Sequence, residues 1–172
     1  AHSNIAGLDP DQQNQSYVVG PSSDGQWLAA GLGVGESTRA FLGLGYALGD
    51  LLRRLEVRGG QWGFRFPETV FTGSPAMPNR TLYLMNSDHM NPGLSLEYFS
   101  EAEIEDYVDF LIEARYSRVS LWQWTANMLY PGNFEQNRSR NEMTHRAMRH
   151  FFQYARQRGL QVYHQLAPMH AN

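Results

Sequence analysis

Three short stretches of this sequence gather aromatic, amide, carboxylate and imidazole side chains able to stack on or hydrogen-bond a ligand. Asp88, His89 and Asn91 stand together; Trp122, Gln123, Trp124 and Asn127 form a second group; His164, Gln165, His170 and Asn172 form a third. Aromatic faces pack on apolar ligand surfaces, and amides, carboxylates and imidazoles hydrogen-bond polar groups. Each group also has a structural reading. A loop aspartate such as Asp88 caps turns. Trp122 and Trp124 alternate along a strand and share a face that a core or a helix can cover. His164 and His170 could hold a metal, but no third ligand stands at a clear spacing, and structural histidines are the plainer reading.

Composition removes whole classes of chemistry. The chain has no cysteine, which excludes disulfides, thiolate nucleophiles and zinc–thiolate sites. All 14 cationic side chains are arginine, so Schiff-base chemistry and a P-loop lysine are excluded as well. A net charge of −3 supplies no global field for nucleic acid. No apolar run reaches the ~18 residues that span a membrane. Gly31, Gly33 and Gly35 lack the spacing of a dinucleotide loop. Asn79-Arg80-Thr81 and Asn137-Arg138-Ser139 match the glycosylation sequon, although Asn79 abuts a buried strand. Glu101, Glu103, Glu105, Asp106 and Asp109 read as a solvated helix face that also suits the helix dipole. His145 and His150 read as exposed helical residues.

The elements that would position these groups follow from periodicity and turn chemistry. Residues 1–16 form a polar lead-in, read as an extended arm. Tyr17-Val18-Val19 and residues 26–31 make a hairpin across a Gly-Pro-Ser-Ser-Asp-Gly turn. Residues 38–57 carry apolar positions at 3- and 4-residue steps (Phe41, Leu44, Ala47, Leu48, Leu51, Leu52, Leu55), which predicts a helix with that face buried and Gly59-Gly60 at its end. Residues 61–66 form a strand. Pro75 and Pro78 mark a linker, dividing a small α/β domain (17–76) from a second unit (77–172).

The second unit is more regular. Strands are predicted at 80–85 (RTLYLM), 118–124 (RVSLWQW) and 160–166 (LQVYHQL). Between them lie two helices. One begins at Ser100 with an S-x-x-E capping box and buries Ile104, Tyr107, Val108, Leu111 and Ile112. The other covers 141–158, with Met143, Ala147, Phe151, Tyr154 and Ala155 inward and Gly159 as its C′ residue. This β-α-β-α-β order is the pattern of a parallel sheet, and the fold class is α/β.

Several features together resemble the α-glucuronidase and β-N-acetylhexosaminidase families of glycoside hydrolases. They are the joint Pro75-Ala76-Met77-Pro78-Asn79-Arg80, the loop with Asp88, His89 and Asn91, and the helix over 100–114. The Trp122/Trp124 pair, Arg158-Gly159-Leu160, the ending His170-Ala171-Asn172, and a leading helix at 44–55 complete the likeness, which spans residues 17–172. The resemblance implies a small α/β domain followed by a (β/α)8 barrel, of which this chain holds three strands and two helices. A whole barrel takes about 250 residues, and its site lies at the C-terminal ends of the strands. That rule selects Asp88, His89, Asn91, Trp122, Trp124, His170 and Asn172 as substrate-binding residues. The family's catalytic carboxylates lie on later strands, so this chain alone is expected to be inactive, with a second chain or a missing C-terminal segment completing the barrel.

The expectations are therefore a carbohydrate substrate, no cofactor, no metal, no nucleic acid and no membrane, in a secreted or periplasmic protein. The lack of a signal peptide fits a processed chain or an internal fragment. Two alternatives stay open: a non-catalytic carbohydrate-binding or assembly module, and a different (β/α) enzyme with a metal on His89 and His170.

Overall fold

A computed structural model describes residues 8–21, 24, 26–32, 40–64, 70–86, 95–124 and 135–167. Within the stretch read as a polar lead-in, residues 10–14 form a short helix, α1 (Pro10–Asn14), rather than an extended arm. Asp9 caps it, accepting from the Gln12 N–H at 2.9 Å, and Pro10 occupies the first turn, where its missing N–H costs nothing.

Strands β1 (Tyr17–Pro21) and β2 (Trp27–Gly31) form the expected antiparallel hairpin. A strand that sequence reading passed over, β5 (Phe71–Gly73), pairs with the other edge of β1. Helix α2 (Ala40–Leu52) is shorter than expected. Leu55–Arg58 is instead a strand, β3, paired with β4 (Gln61–Phe64) across Gly59-Gly60. Both glycines have left-handed backbones, with φ of 58° and 80°. That is the geometry of a two-residue hairpin turn matching strand twist, so the Gly-Gly pair closes a hairpin rather than ending a helix.

The buried face of α2 is only in part the predicted one: Ala47 is buried and Leu51 packs against the core as expected. Leu42 and Tyr46 are buried as well, whereas Phe41, Leu48 and Leu52 face solvent. The helix is apolar nearly all round, so periodicity alone did not orient it. Close approach did. A Cβ on Gly43 would lie 2.2 Å from the Ser16 carbonyl oxygen, so only glycine lets α2 seat on that backbone.

The second unit has the expected order. Strands β6 (Thr81–Asn86), β7 (Arg118–Trp124) and β8 (Gln161–Ala167) form a parallel sheet in chain order. Helix α3 (Glu101–Glu113) carries the full capping box: the Ser100 hydroxyl accepts from the Glu103 N–H, and the Glu103 carboxylate accepts from the Ser100 N–H at 2.7 Å. Helix α4 (Glu135–Gln157) starts earlier than predicted. Its buried stripe is Thr144, Ala147, Met148, Phe151 and Ala155, with Met143 exposed.

Both helices end in Schellman geometry. At α4, Gly159 and Leu160 donate to Arg156 and Ala155; at α3, Arg115 and Tyr116 donate to Ile112 and Leu111. Gly159 takes the left-handed position at the first end, and Arg115, with φ 68°, takes it at the second.

One hydrophobic cluster joins these layers. It includes Tyr17 and Val19 of β1, Leu42 and Tyr46 of α2, Val108 and Leu111 of α3, and Val119 and Leu121 of β7, with Phe151 of α4 among them.

Candidate functional site

The two ends of the parallel sheet differ sharply. The N-terminal end is locked to the elements before it. Arg80, just ahead of β6, donates through Nη2 to Gln15 Oε1 at 2.8 Å and to the Tyr46 hydroxyl at 3.1 Å. Its Nε and Nη1 donate to the carbonyls of Arg115 and Met77. The Ser117 hydroxyl donates to the Pro78 carbonyl and accepts from the Arg80 N–H. Arg118, at the start of β7, pairs with Asp11 of α1 at 3.3 Å.

The C-terminal ends of β6, β7 and β8 are Asn86, Trp124 and Ala167, and parallel register puts them on one side. Asn86 is buried, and its Oδ1 accepts from the Leu96 N–H at 2.7 Å, which ties the end of β6 to the 3-10 turn at Leu96–Tyr98. Asp88, His89 and Asn91 lie between those anchors, outside the described residues, as do Asn127, His170 and Asn172. Trp124 ends β7 opposite Ala167. Trp122 lies in register with Met85 and Gln165 and is half-buried.

Alternation sorts the sheet into two faces. Leu82, Leu84, Val119, Leu121 and Val162 point into the core beneath α3 and α4. Tyr83, Ser120 and Tyr163 form one row on the opposite face, with Trp122, Met85 and Gln165 in the next row toward the rim. Tyr83 and Tyr163 are 49% and 47% exposed. They flank Ser120, two strand spacings or about 10 Å apart. Ser120 itself is buried, and its hydroxyl has no hydrogen-bond partner among the described residues. Sequence reading missed this row; the signal was the tyrosine at the same register in the first and third strands.

His164 falls in register with Leu121, on the face opposite Trp122. Its ring packs against Phe152 of α4 with centroids 5.6 Å apart, and partial burial holds its imidazole below the ordinary value. Among the described residues no three His, Asp or Glu side chains gather in a way that could hold a metal ion.

The acidic face of α3 is solvated as expected at Glu101, Glu103, Asp106 and Asp109, but two of its carboxylates, Glu105 and Asp109, are also paired. Glu105 meets His150 of α4 at 3.1 Å, so His150 is a half-buried partner rather than a free surface residue. Asp109 takes Arg158 at 3.2 Å and the Tyr154 hydroxyl at 3.2 Å. Glu103, fully exposed, is held below its usual pKa by the backbone hydrogen bond from Ser100 and then by the Ser100 hydroxyl. Burial, with a smaller contribution from Tyr116, raises the Tyr107 phenol.

Among the described residues no helix is long and apolar enough to cross a membrane. Compared with known proteins, the chain matches no family model and no curated protein.

Proposed function

We propose that residues 77–172 open a (β/α)8 barrel and that the chain is part of a glycoside hydrolase, secreted or periplasmic, acting on an oligo- or polysaccharide. The observation that carries this reading is the three-stranded parallel sheet in chain order, covered among the described residues by helices on one face. Parallel strands are normally buried on both faces. Among the described residues β6 and β8 each pair on one side, which leaves two edges for further strands. The locked N-terminal end and the C-terminal rim match the division between stability and chemistry in such barrels.

In this reading Asp88, His89, Asn91, Trp122, Trp124, His170 and Asn172 bind the sugar. The acid/base carboxylate pair comes from strands supplied by a second chain or a further segment of the polypeptide. The chain alone should then turn over no aryl glycoside, while titration with soluble oligosaccharides should perturb its tryptophan fluorescence. Alanine at His89 or Asn91 should weaken that binding with an unchanged circular-dichroism spectrum. Robust turnover by the pure chain would refute the missing carboxylates. Binding indifferent to both substitutions would refute the rim.

One observation favours the non-catalytic carbohydrate-binding reading instead: the half-exposed Tyr83 and Tyr163, on the face that no described helix covers. If that face is the binding platform, Tyr83→Ala and Tyr163→Ala should abolish oligosaccharide binding while His89→Ala leaves it intact.

A further inference from the structure

Helix α2 turns an apolar row to solvent. Phe41, Leu48 and Leu52 are 58%, 50% and 59% exposed, and Phe110 of α3 is 56% exposed. These side chains line a groove of about 560 Å³ between α2 and α3. Half-exposed large apolar side chains gathered in one concave patch mark an interaction surface far more often than scattered ones do.

The two walls differ in charge. Residues 40–49 of α2 carry no charged side chain. The α3 wall carries Asp106 and Glu113, one turn to either side of Phe110. Both carboxylates are exposed, and among the described residues neither makes an ion pair. They stand seven residues apart, or about 10 Å along the helix axis. Of the cations near the groove, Arg158 is committed to Asp109 and the Tyr154 hydroxyl, and Arg53 pairs with Asp50 and donates to the Glu113 carbonyl.

We propose that this groove receives a basic amphipathic helix of a partner protein. Its apolar side chains, at 3- and 4-residue steps, would enter between Phe41, Leu48, Leu52 and Phe110. Two of its Lys or Arg residues, seven positions apart, would oppose Asp106 and Glu113. The row from Phe41 to Leu52 spans eleven residues, or about 16 Å, which suits three turns of a helix lying in the groove. A second copy of this chain fits poorly. Two-fold pairing would set acidic wall on acidic wall, or carboxylates against the uncharged α2 face. This surface is independent of the sugar-binding reading.

The test uses two labelled 14-residue peptides with the same leucine pattern, one with lysine and one with glutamate at the polar positions. Binding to the whole chain is followed by fluorescence anisotropy at low and physiological salt. The lysine peptide should bind at least tenfold more tightly than the glutamate peptide. Leu48→Glu should weaken it by more than tenfold, because a buried leucine contact is replaced by a charge. Asp106→Asn with Glu113→Gln should weaken it by about fivefold and flatten its salt dependence. Equal binding of both peptides, binding of neither, or an affinity unchanged in the double variant would overturn the proposal. So would a concentration-dependent dimer in sedimentation that Leu48→Glu disperses, since the occupant would then be a second copy.

Discussion

Replacing Arg80 by alanine should loosen the contact of β6 with α1 and α2. Four hydrogen bonds leave its guanidinium, toward Gln15 Oε1, the Tyr46 hydroxyl and the carbonyls of Met77 and Arg115. That uses four of the five donors an arginine has. Gln15 is fully buried, so its Oε1 would be stranded, at a cost of about 1–3 kcal/mol. The Tyr46 hydroxyl, also buried, keeps its own bond to the Tyr116 carbonyl, and the loss at it and at the two carbonyls is about 0.5–1 kcal/mol each. The guanidinium also stacks on Tyr46, 5.5 Å from the ring centroid. The sum is about 4 kcal/mol. Arg80→Lys should recover less than half of it, because an ammonium cannot reach acceptors spread around a planar fork. Urea unfolding checks both, with the midpoint falling and the slope unchanged. A loss under about 1 kcal/mol for Arg80→Ala would refute the reasoning, because it would mean the contact is held by packing alone.

Gly43→Ala should destabilise the chain by roughly 2–3 kcal/mol or prevent folding, because the added methyl meets the Ser16 carbonyl and α2 must lift; thermal unfolding measures it. Leu121→Ala, in the fully buried centre of β7, should cost about 2–5 kcal/mol by the same assay. Glu103 contributes through its charge. Its folded pKa is depressed, so its stabilisation is present above the ordinary carboxylate value and lost as pH falls through the lower folded one. The stability difference between the native chain and Glu103→Gln should therefore shrink toward zero in acid, and a difference that persists fully protonated would show that the carboxylate's charge is irrelevant.

The parts of this fold that were legible in the sequence are those with local signals. Ser100 and Glu103 announce the start of α3, Gly159 the end of α4, and the β-α-β-α-β order the parallel sheet. What escaped has non-local causes. Helix α2 has no polar face to orient it, and its seat is set by a contact between Gly43 and Ser16. Strand β5 is three residues long and exists as a partner of β1. Leu55 continues a helical spacing yet belongs to a hairpin, because Gly59-Gly60 fits a tight turn as well as a helix end. Of the candidate site, the structure gives the rim and the face on which Trp122 lies. Asp88, His89, Asn91, His170 and Asn172 lie outside the described residues.

Arg115 carries a consequence for how the chain assembles. A non-glycine residue in the left-handed region costs about 1 kcal/mol or more, so α3 holds no strong stop signal of its own. The stop is held from elsewhere. The Arg115 guanidinium pairs with Asp50 and lies 4.9 Å from the Tyr46 ring and 5.7 Å from the Tyr17 ring. Those partners precede it by some sixty to one hundred residues and belong to β1 and α2. Where α3 ends decides where Ser117 and Arg118 begin β7. The leading layer therefore acts as an internal template: it writes the reading frame in which the central parallel strand is laid down, and a segment cut free of it would keep its strands and helices but lose the punctuation between them.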